Sequence, residues 1–545
     1  MDKGSLIAPL FFLALVLAGL GSRLGAVAPW ASAVLALAAV YWAGATHRES
    51  FSWLSLPVLG YGLLVALNTL LLSPAYTPAG LYNPTLLILG FLVARTFVDR
   101  AEKAAALAAL ILGVILAAWG LLQVGLSGVS RAHAFLETPA TYAAIINLLL
   151  VPVLALVLVG KRGALPLVAA LLAAALFAAL SRGGLLALAA GLGFTAIYAR
   201  RAHLLKPRAF ALTLAALAAG WIIATGLRAL PSSQTAPAPS VEARAESSLS
   251  RLELYAQSWA ALRERPVTGT GYLTFRYTLE QHRAQVPSYG MTSETWFVHN
   301  DYLQTLQELG PLGLLAFLGL TVFAPLLAYR RIPDLAMEQR PAVVAVAAAL
   351  AAMPVHGLVD FPFYVPVCLL LYGALLGALD SRLRTPASEL TLEWRTSPPL
   401  RIARAGVLTL VVLTLLRPVA AEAAAGWGLR KAAAGEGQDA ALWLGAAQRI
   451  EPADWRYHWY AGQFWDAQAA ESGNPEAARL AADAHAAGLA ANPLEVKNLL
   501  GKISVHRRHR KLLRDPADPA TLRQWAAQAR ALAPLNHAAQ LELAR

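Results

Sequence analysis

His299-Asn300-Asp301-Tyr302-Leu303-Gln304 runs through Glu308-Leu309-Gly310-Pro311-Leu312-Gly313 into an apolar stretch that continues to Leu327. A titratable, hydrogen-bonding cluster therefore sits where the only long polar loop in the hydrophobic half of the chain meets a segment long enough to cross a bilayer. A histidine at such a junction can exchange protons near neutral pH. What it faces, and which charges surround it, decides how the rest of the sequence is read.

The chain is 57% hydrophobic and 14% charged over 545 residues, which places it among polytopic membrane proteins rather than soluble enzymes. Its net charge of +13 is accounted for by a bilayer if the basic residues gather on one side, so no nucleic-acid partner is expected. The single cysteine, Cys368, lies inside an apolar run, and no disulfide framework is possible. The N-terminal apolar run lacks a small-residue cleavage site and reads as a retained span.

About thirteen apolar runs approach the roughly 20 residues a crossing requires. They lie at roughly 5–21, 26–45, 51–73, 81–98, 104–125, 141–160, 164–181, 184–199, 209–228, 309–328, 342–358, 361–379 and 402–421. The pairs around 164–199 and 342–379 can equally be read as re-entrant or broken. Basic residues follow the even-numbered runs: Arg48, then Arg100 and Lys103, Lys161 and Arg162, Arg200 to Arg208, Arg330 to Arg340, and Arg382 to Arg401. Short loops after odd-numbered runs carry few, chiefly Arg23, Arg131 and Arg182. The positive-inside rule then puts the N-terminus in the cytoplasm, with loop 229–308 and everything after 421 outside. The expected class is an all-α transmembrane bundle over 1–421 and a soluble helical domain over 422–545.

The second domain is Ala-rich, with a helix-and-proline pattern on a fixed step. Pro452, Pro493 and Pro534 close three Ala-rich segments at a constant spacing of 41 residues. Helices repeated this way stack as hairpins. The pattern resembles divergent tetratricopeptide repeats with insertions, a possible docking surface for a protein partner. A plain Ala-rich helical bundle remains the alternative.

Several charged residues are placed where charge is expensive. Arg182, in Ser181-Arg182-Gly183-Gly184, ends one apolar run and opens the next, against the positive-inside pattern. It reads either as a snorkelling span end or as a functional cation. Arg251 heads a segment whose apolar positions 252, 255, 259 and 262 have helical spacing, broken by Pro266 and the Gly269/Gly271 pair. Such a helix would lie along the membrane surface. His299 serves either as a proton acceptor or as a cap on the following helix, with Asn300 and Asp301 meeting its free N–H groups. His356 and Asp360, four apart, share a helical face as an ion pair or as site residues. Gln123 and Arg131 are further candidates at span ends.

In combination, Ser-Arg-Gly, the Arg251 helix ending in Pro-x-x-Gly-x-Gly, and His299-Asn300 leading to Glu308-x-Gly310 resemble the O-antigen ligase/polymerase superfamily, over about residues 80–380. The resemblance continues in His356-Gly357-Leu358-Val359-Asp360-Phe361-Pro362. Glu137-Thr138-Pro139 stands where such proteins carry an Asn-Pro-Asn-like span entry. The resemblance implies a GT-C-like bundle in a bacterial inner membrane and inverting glycosyl transfer on its periplasmic face. It implies a donor glycan on undecaprenyl pyrophosphate, an acceptor hydroxyl on a glycan, a lipid A core or a protein, and no cofactor. His299 would be the general base, Arg182 and Arg251 would meet the pyrophosphate, and Arg131, Gln123, Asn300, Asp301, His356 and Asp360 would bind substrate. The residue types suit that chemistry: arginines match phosphate oxygens bidentately, and no Asp-x-Asp pair, the usual metal-holding element, occurs in the chain. Ligase, polymerase and pilin-type protein transferase are not separable by sequence, and a transporter or flippase is the alternative of another class. Against transport, the polar residues gather at one face, and no paired broken spans occur in matching halves.

Overall fold

The computed structural model describes residues 13–14, 48–136, 138–230, 241–282, 296–383, 389–393, 398–534 and 536. The expected spans at 5–21 and 26–45 lie outside these residues, apart from 13–14, as does Glu137. The described part is helical, with one antiparallel ribbon in which β1 (Arg48–Ser52) pairs with β2 (Glu389–Glu393).

The bundle comprises α1 (Ser55–Leu67), α2 (Ala79–Leu126), α3 (Pro139–Leu158), α4 (Leu165–Ala179), α5 (Arg182–Arg201), α6 (Pro207–Ala229), α9 (Asp301–Arg331), α10 (Arg340–Gly357) and α11 (Pro366–Leu383). Between α6 and α9 lie α7 (Val241–Glu264) and α8 (Phe275–His282). Eight helical segments among the described residues are long and apolar enough to cross a membrane. Two more, Ala79–Arg95 and Leu165–Ala179, are apolar but shorter. The expected runs at 81–98 and 104–125 are two apolar legs of α2, whose helical backbone continues past Arg100 and Lys103. Arginine and lysine have good helix propensity, and the stretch around Arg100 and Lys103 holds no Gly or Pro to weaken it.

Small residues set the packing. The α2 backbone at Leu87 and Phe91 leaves no room for a Cβ at Gly373 or Gly377 of α11, and Gly90 lies against the Leu370 carbonyl. Close backbone approach of this kind is the usual way helices associate when lipid removes the hydrophobic incentive. Arg95 and Asp380, both buried, pair across the same seam at 2.6 Å. Helices α3 and α10 are almost wholly buried, whereas α6 presents Trp221, Ile222 and Leu214 outward.

The two ends of the bundle differ. At one, Arg340 donates to the carbonyls of Ala202, Leu335 and Pro333, and Arg201 lies over the Tyr329 ring. At the other, the loop end, α7 and α8 cover the bundle, and the C-terminal helices rest on α8. The expected run at 402–421 is the first part of α12 (Pro398–Ala433), which leads into the second unit of α13 (Gly437–Ile450), α14 (Trp455–Ser472), α15 (Pro475–Ala491), α16 (Val496–Arg508) and α17 (Pro519–Leu532). Helices α13, α15 and α17 end two residues before Pro452, Pro493 and Pro534, so the 41-residue step read from the prolines is a repeat of helix ends. The following helices α14 and α16 open with Asp454 and Glu495 accepting from the N–H two residues on.

Candidate active site at the loop end

The Pro-x-x-Gly-x-Gly and Glu-x-Gly elements dock on one another. Gly269, Gly271 and Gly310 all have positive φ, at +70°, +110° and +70°. A Cβ at Gly310 would strike the Val267 carbonyl, and one at Gly269 would strike the Glu308 backbone. Only glycine fits both the conformation and the space. Thr270 and Gly271 donate their N–H groups to the carbonyls of Gln307 and Glu308. The buried Glu308 carboxylate accepts from the N–H groups of Leu273 and Phe275 at 2.9 and 3.1 Å. These elements form a clamp that fixes the polar first turns of α9, before the non-helical break at Gly310 separates them from the apolar remainder.

Asn300, not His299, caps α9: its Oδ1 accepts from Leu303 N–H at 3.0 Å. The fully buried Asp301 accepts from Phe363 N–H at 3.2 Å, tying α9 to the turn after α10. His299 is thereby relieved of capping, and its backbone is held at φ +60°, a left-handed conformation uncommon for a residue with a side chain. Strain of this order persists where surrounding contacts over-determine the position. Here these include the Tyr255 hydroxyl, which donates to the His299 carbonyl, and the Phe361 ring, which meets the imidazole edge-on at 4.9 Å.

The imidazole Nδ1 lies 3.2 Å from Asp360 Oδ1. Since a carboxylate only accepts, Nδ1 carries the hydrogen of this contact, which in a neutral imidazole leaves the lone pair on Nε2. The His299 side chain is 29% exposed, while that of Asp360 is buried. His356 approaches the other carboxylate oxygen at 3.9 Å, so Asp360 stands between two imidazoles. Burial alone would raise the Asp360 carboxyl; the His299 hydrogen bond and the charges of His299, His356 and Arg251 outweigh it and hold it below the usual carboxylate range. The expected shared helical face of His356 and Asp360 is corrected. Helix α10 ends at Gly357, and the pair meets across the turn that follows, where Gly357 passes close to Asp301 and leaves no room for a side chain.

Arg182 is the first residue of α5, behind the Ser181 cap whose Oγ accepts from Gly184 N–H. A cation in the first turn adds to the positive end of the helix dipole, with no acidic residue in that turn to offset it. Next to it, Gly183 faces His356: a Cβ there would come within 3.0 Å of the imidazole, so the start of α5 touches the histidine–aspartate group. Arg251 lies in the middle of α7, ten residues after Val241, rather than at its head. The buried face of that helix is also not the expected one. Leu252 and Trp259 are exposed, while Glu253, Leu254, Gln257, Ser258 and Ala261 are buried. Of the four expected apolar positions only Leu262 is buried, so helical spacing alone does not set which side of α7 meets the protein.

The remaining candidates hold the loop end together. Arg131 donates to the carbonyls of Ala179 and Leu180, Arg228 donates to that of Ala178, and together they meet the C-terminal end of α4. Gln123 donates to the Ala134 carbonyl and accepts from His133 N–H, closing the turn between α2 and α3. Sequence reasoning missed the role of Glu308 and the pairing of His299 with Asp360. The three glycines at 269, 271 and 310 were the available signal for the first.

Residues 167–318 match the family model described as O-antigen ligase. The matched segment contains Arg182, Arg251, His299, Asn300, Asp301 and the Glu308/Gly310 clamp, and stops before His356 and Asp360. It supports membership of the O-antigen ligase superfamily and, with the apolar helices, a multi-pass membrane protein of ligase or polymerase type. No curated protein matches the chain.

Proposed function

We propose that the protein transfers a glycan from undecaprenyl pyrophosphate to an acceptor hydroxyl at the loop end, which faces the periplasm of a bacterial inner membrane. The reading is carried by the His299–Asp360 pair at 3.2 Å, in which Nδ1 meets the buried carboxylate and Nε2 is left for an acceptor. The acceptor oxygen attacks the anomeric carbon from the face opposite the leaving group. The bond from that carbon to the phosphate oxygen breaks with inversion, and the electron pair leaves with undecaprenyl pyrophosphate. The acceptor proton passes to His299 Nε2, and Asp360 stabilises the imidazolium that results. Arg182 and Arg251 bind the pyrophosphate and stabilise the charge that develops on it, as planar, permanently charged forks suited to phosphate. Acceptors on a lipid A core, a growing polysaccharide or a protein are all compatible with this step.

Membrane-embedded protein, supplied with lipid-linked donor from the cells that make it and an acceptor from the same cells, provides the test. His299→Ala is expected to lower the transfer rate by roughly 10²–10⁴-fold with donor binding little changed. Arg182→Ala and Arg251→Ala are expected to abolish transfer and weaken donor binding. Normal turnover in a well-folded His299→Asn protein would remove the base from the mechanism.

A further inference from the structure

A cleft lies between the loop that leads to His299 and the C-terminal array, lined by Arg276, Tyr277 and Glu280 of α8, by Trp296, and by Glu495 and Lys497 at the start of α16. Its walls are built rather than incidental. Trp455 Nε1 donates to the Tyr277 hydroxyl at 3.0 Å, and Arg276 stands 3.7 Å from Glu495. The Arg276 guanidinium covers one face of Trp296 at 3.9 Å from the ring centre, yet Trp296 is still 53% exposed. Lys497 lies 5.9 Å from the rings of both Trp455 and Trp459. The exposed Trp296 ring among side chains that donate and accept hydrogen bonds suits a ligand with apolar faces and a polar rim. Two cations and two anions in one cleft leave no net field to select a polyanion. That combination fits a neutral, polyhydroxylated chain.

We propose that this cleft is the acceptor-glycan subsite, in which sugar rings stack on Trp296 while Glu280, Glu495 and Lys497 bond their hydroxyls. Trp296 precedes His299 by three residues, and Phe297 between them stacks on Phe361 at 4.1 Å, so a glycan seated here runs toward the base. The array thus acts as one wall of the acceptor site. The identity of the ligand as acceptor rests on the transferase reading, whereas glycan binding by the cleft does not.

The experiment titrates full-length protein in nanodiscs, by calorimetry, with the oligosaccharide fraction released by mild acid from the lipid-linked glycan of the producing cells. Wild type and His299→Ala are expected to bind alike, Trp296→Ala and Lys497→Ala each to bind roughly tenfold more weakly, and Trp296→Tyr to stay near wild type. Unchanged melting of the variants separates loss of binding from loss of fold, and Lys497→Ala carries the test if Trp296→Ala does not fold. Equal binding by all variants, or no binding by wild type, would overturn the subsite. So would retention of a Ser/Thr-rich synthetic peptide in place of the oligosaccharide, which assigns the cleft to a protein acceptor. Oligosaccharide held in the cleft by a protein that transfers nothing would sink the transferase reading and leave the cleft a glycan-binding site.

Discussion

The bundle and the C-terminal array are both made of Ala-rich helices, yet they use their polar residues in opposite ways. In the array the last four helices are each started by a side chain: Asp454, Asn474, Glu495 and Asp518 accept from an N–H two or three residues on. In the bundle such caps occur at the loop end, at Thr138, Ser181 and Asn300, whereas α4, α6 and α10 have none. Water rewards amphipathic, capped helices everywhere along a chain. Lipid rewards apolar faces, so side-chain polarity is concentrated at one end, where it can be put to chemical use. The lesson is that the array's polar residues first start its helices, Glu495 doing so while also facing the cleft, whereas those at the loop end of the bundle gather around His299.

The sharpest way to break this contrast is to show that the loop end and the array do not share a compartment. Cysteine placed at Asn474 is expected to be labelled from outside the cell, and cysteine at Lys206 or Arg340 is not, an all-or-none difference read with an impermeant maleimide. Labelling of all three, or of only the latter two, would sink this orientation. Next in size is the carboxylate behind the base. Asp360→Asn keeps the shape but removes the negative charge that would stabilise the imidazolium and turns one oxygen into a donor that can favour the other tautomer, so kcat should fall roughly 10²-fold with donor KM unchanged. A merely structural role would instead lower the melting temperature and leave turnover of the folded fraction intact.

A smaller effect is expected at Gly310. Alanine there adds a Cβ against the Val267 carbonyl at positive φ and should cost about 2 kcal/mol or more, with activity declining because the clamp behind His299 loosens. Gly435→Ala, at φ +78° with open space around it, isolates the backbone strain alone and should cost less. The smallest effect belongs to the array. His485 is fully buried against Gly462 and Gly501, and burial lowers its pKa below the ordinary value of 6.5, although Asn498 and Asp466 act the other way. The folded state therefore keeps the imidazole neutral while the unfolded chain takes up a proton. Stability is complete above pH 6.5 and is lost progressively as pH falls below it. Chemical denaturation between pH 7.5 and 5.5 should show this slope, and His485→Gln should flatten it.

Much of this was legible because two periodicities survive in the sequence. Apolar runs of bilayer length give the spans, and prolines at 452, 493 and 534 give the array its step. The start of α9 was equally plain, since Asn300 and the apolar run that follows mark a helix entry. What the sequence hid were contacts between distant segments. The His299–Asp360 contact joins residues 61 apart, and no local pattern distinguishes it from the Asp360–His356 pair, which is nearer in sequence and longer in space. The facing of α7 was hidden for a different reason. Its periodicity is real, but whether Leu252 and Trp259 point into protein or into lipid is decided by the surroundings and not by the helix.

The aromatic packing beneath the site has a consequence of its own. Tyr302, Phe317, Phe363 and Tyr372 meet edge to face at 4.9 to 5.2 Å, with Tyr61 against Phe317, in a layer directly below the turn that carries Asp360. A residue that takes up and sheds protons in an energised membrane sits at one pole of a battery, where each charge crossing 100 mV dissipates about 2.3 kcal/mol. Close-packed rings of this kind are a low-dielectric barrier to a charge. If His299 is the base proposed above, the protons it collects return to the side from which they came, and turnover does not discharge the membrane.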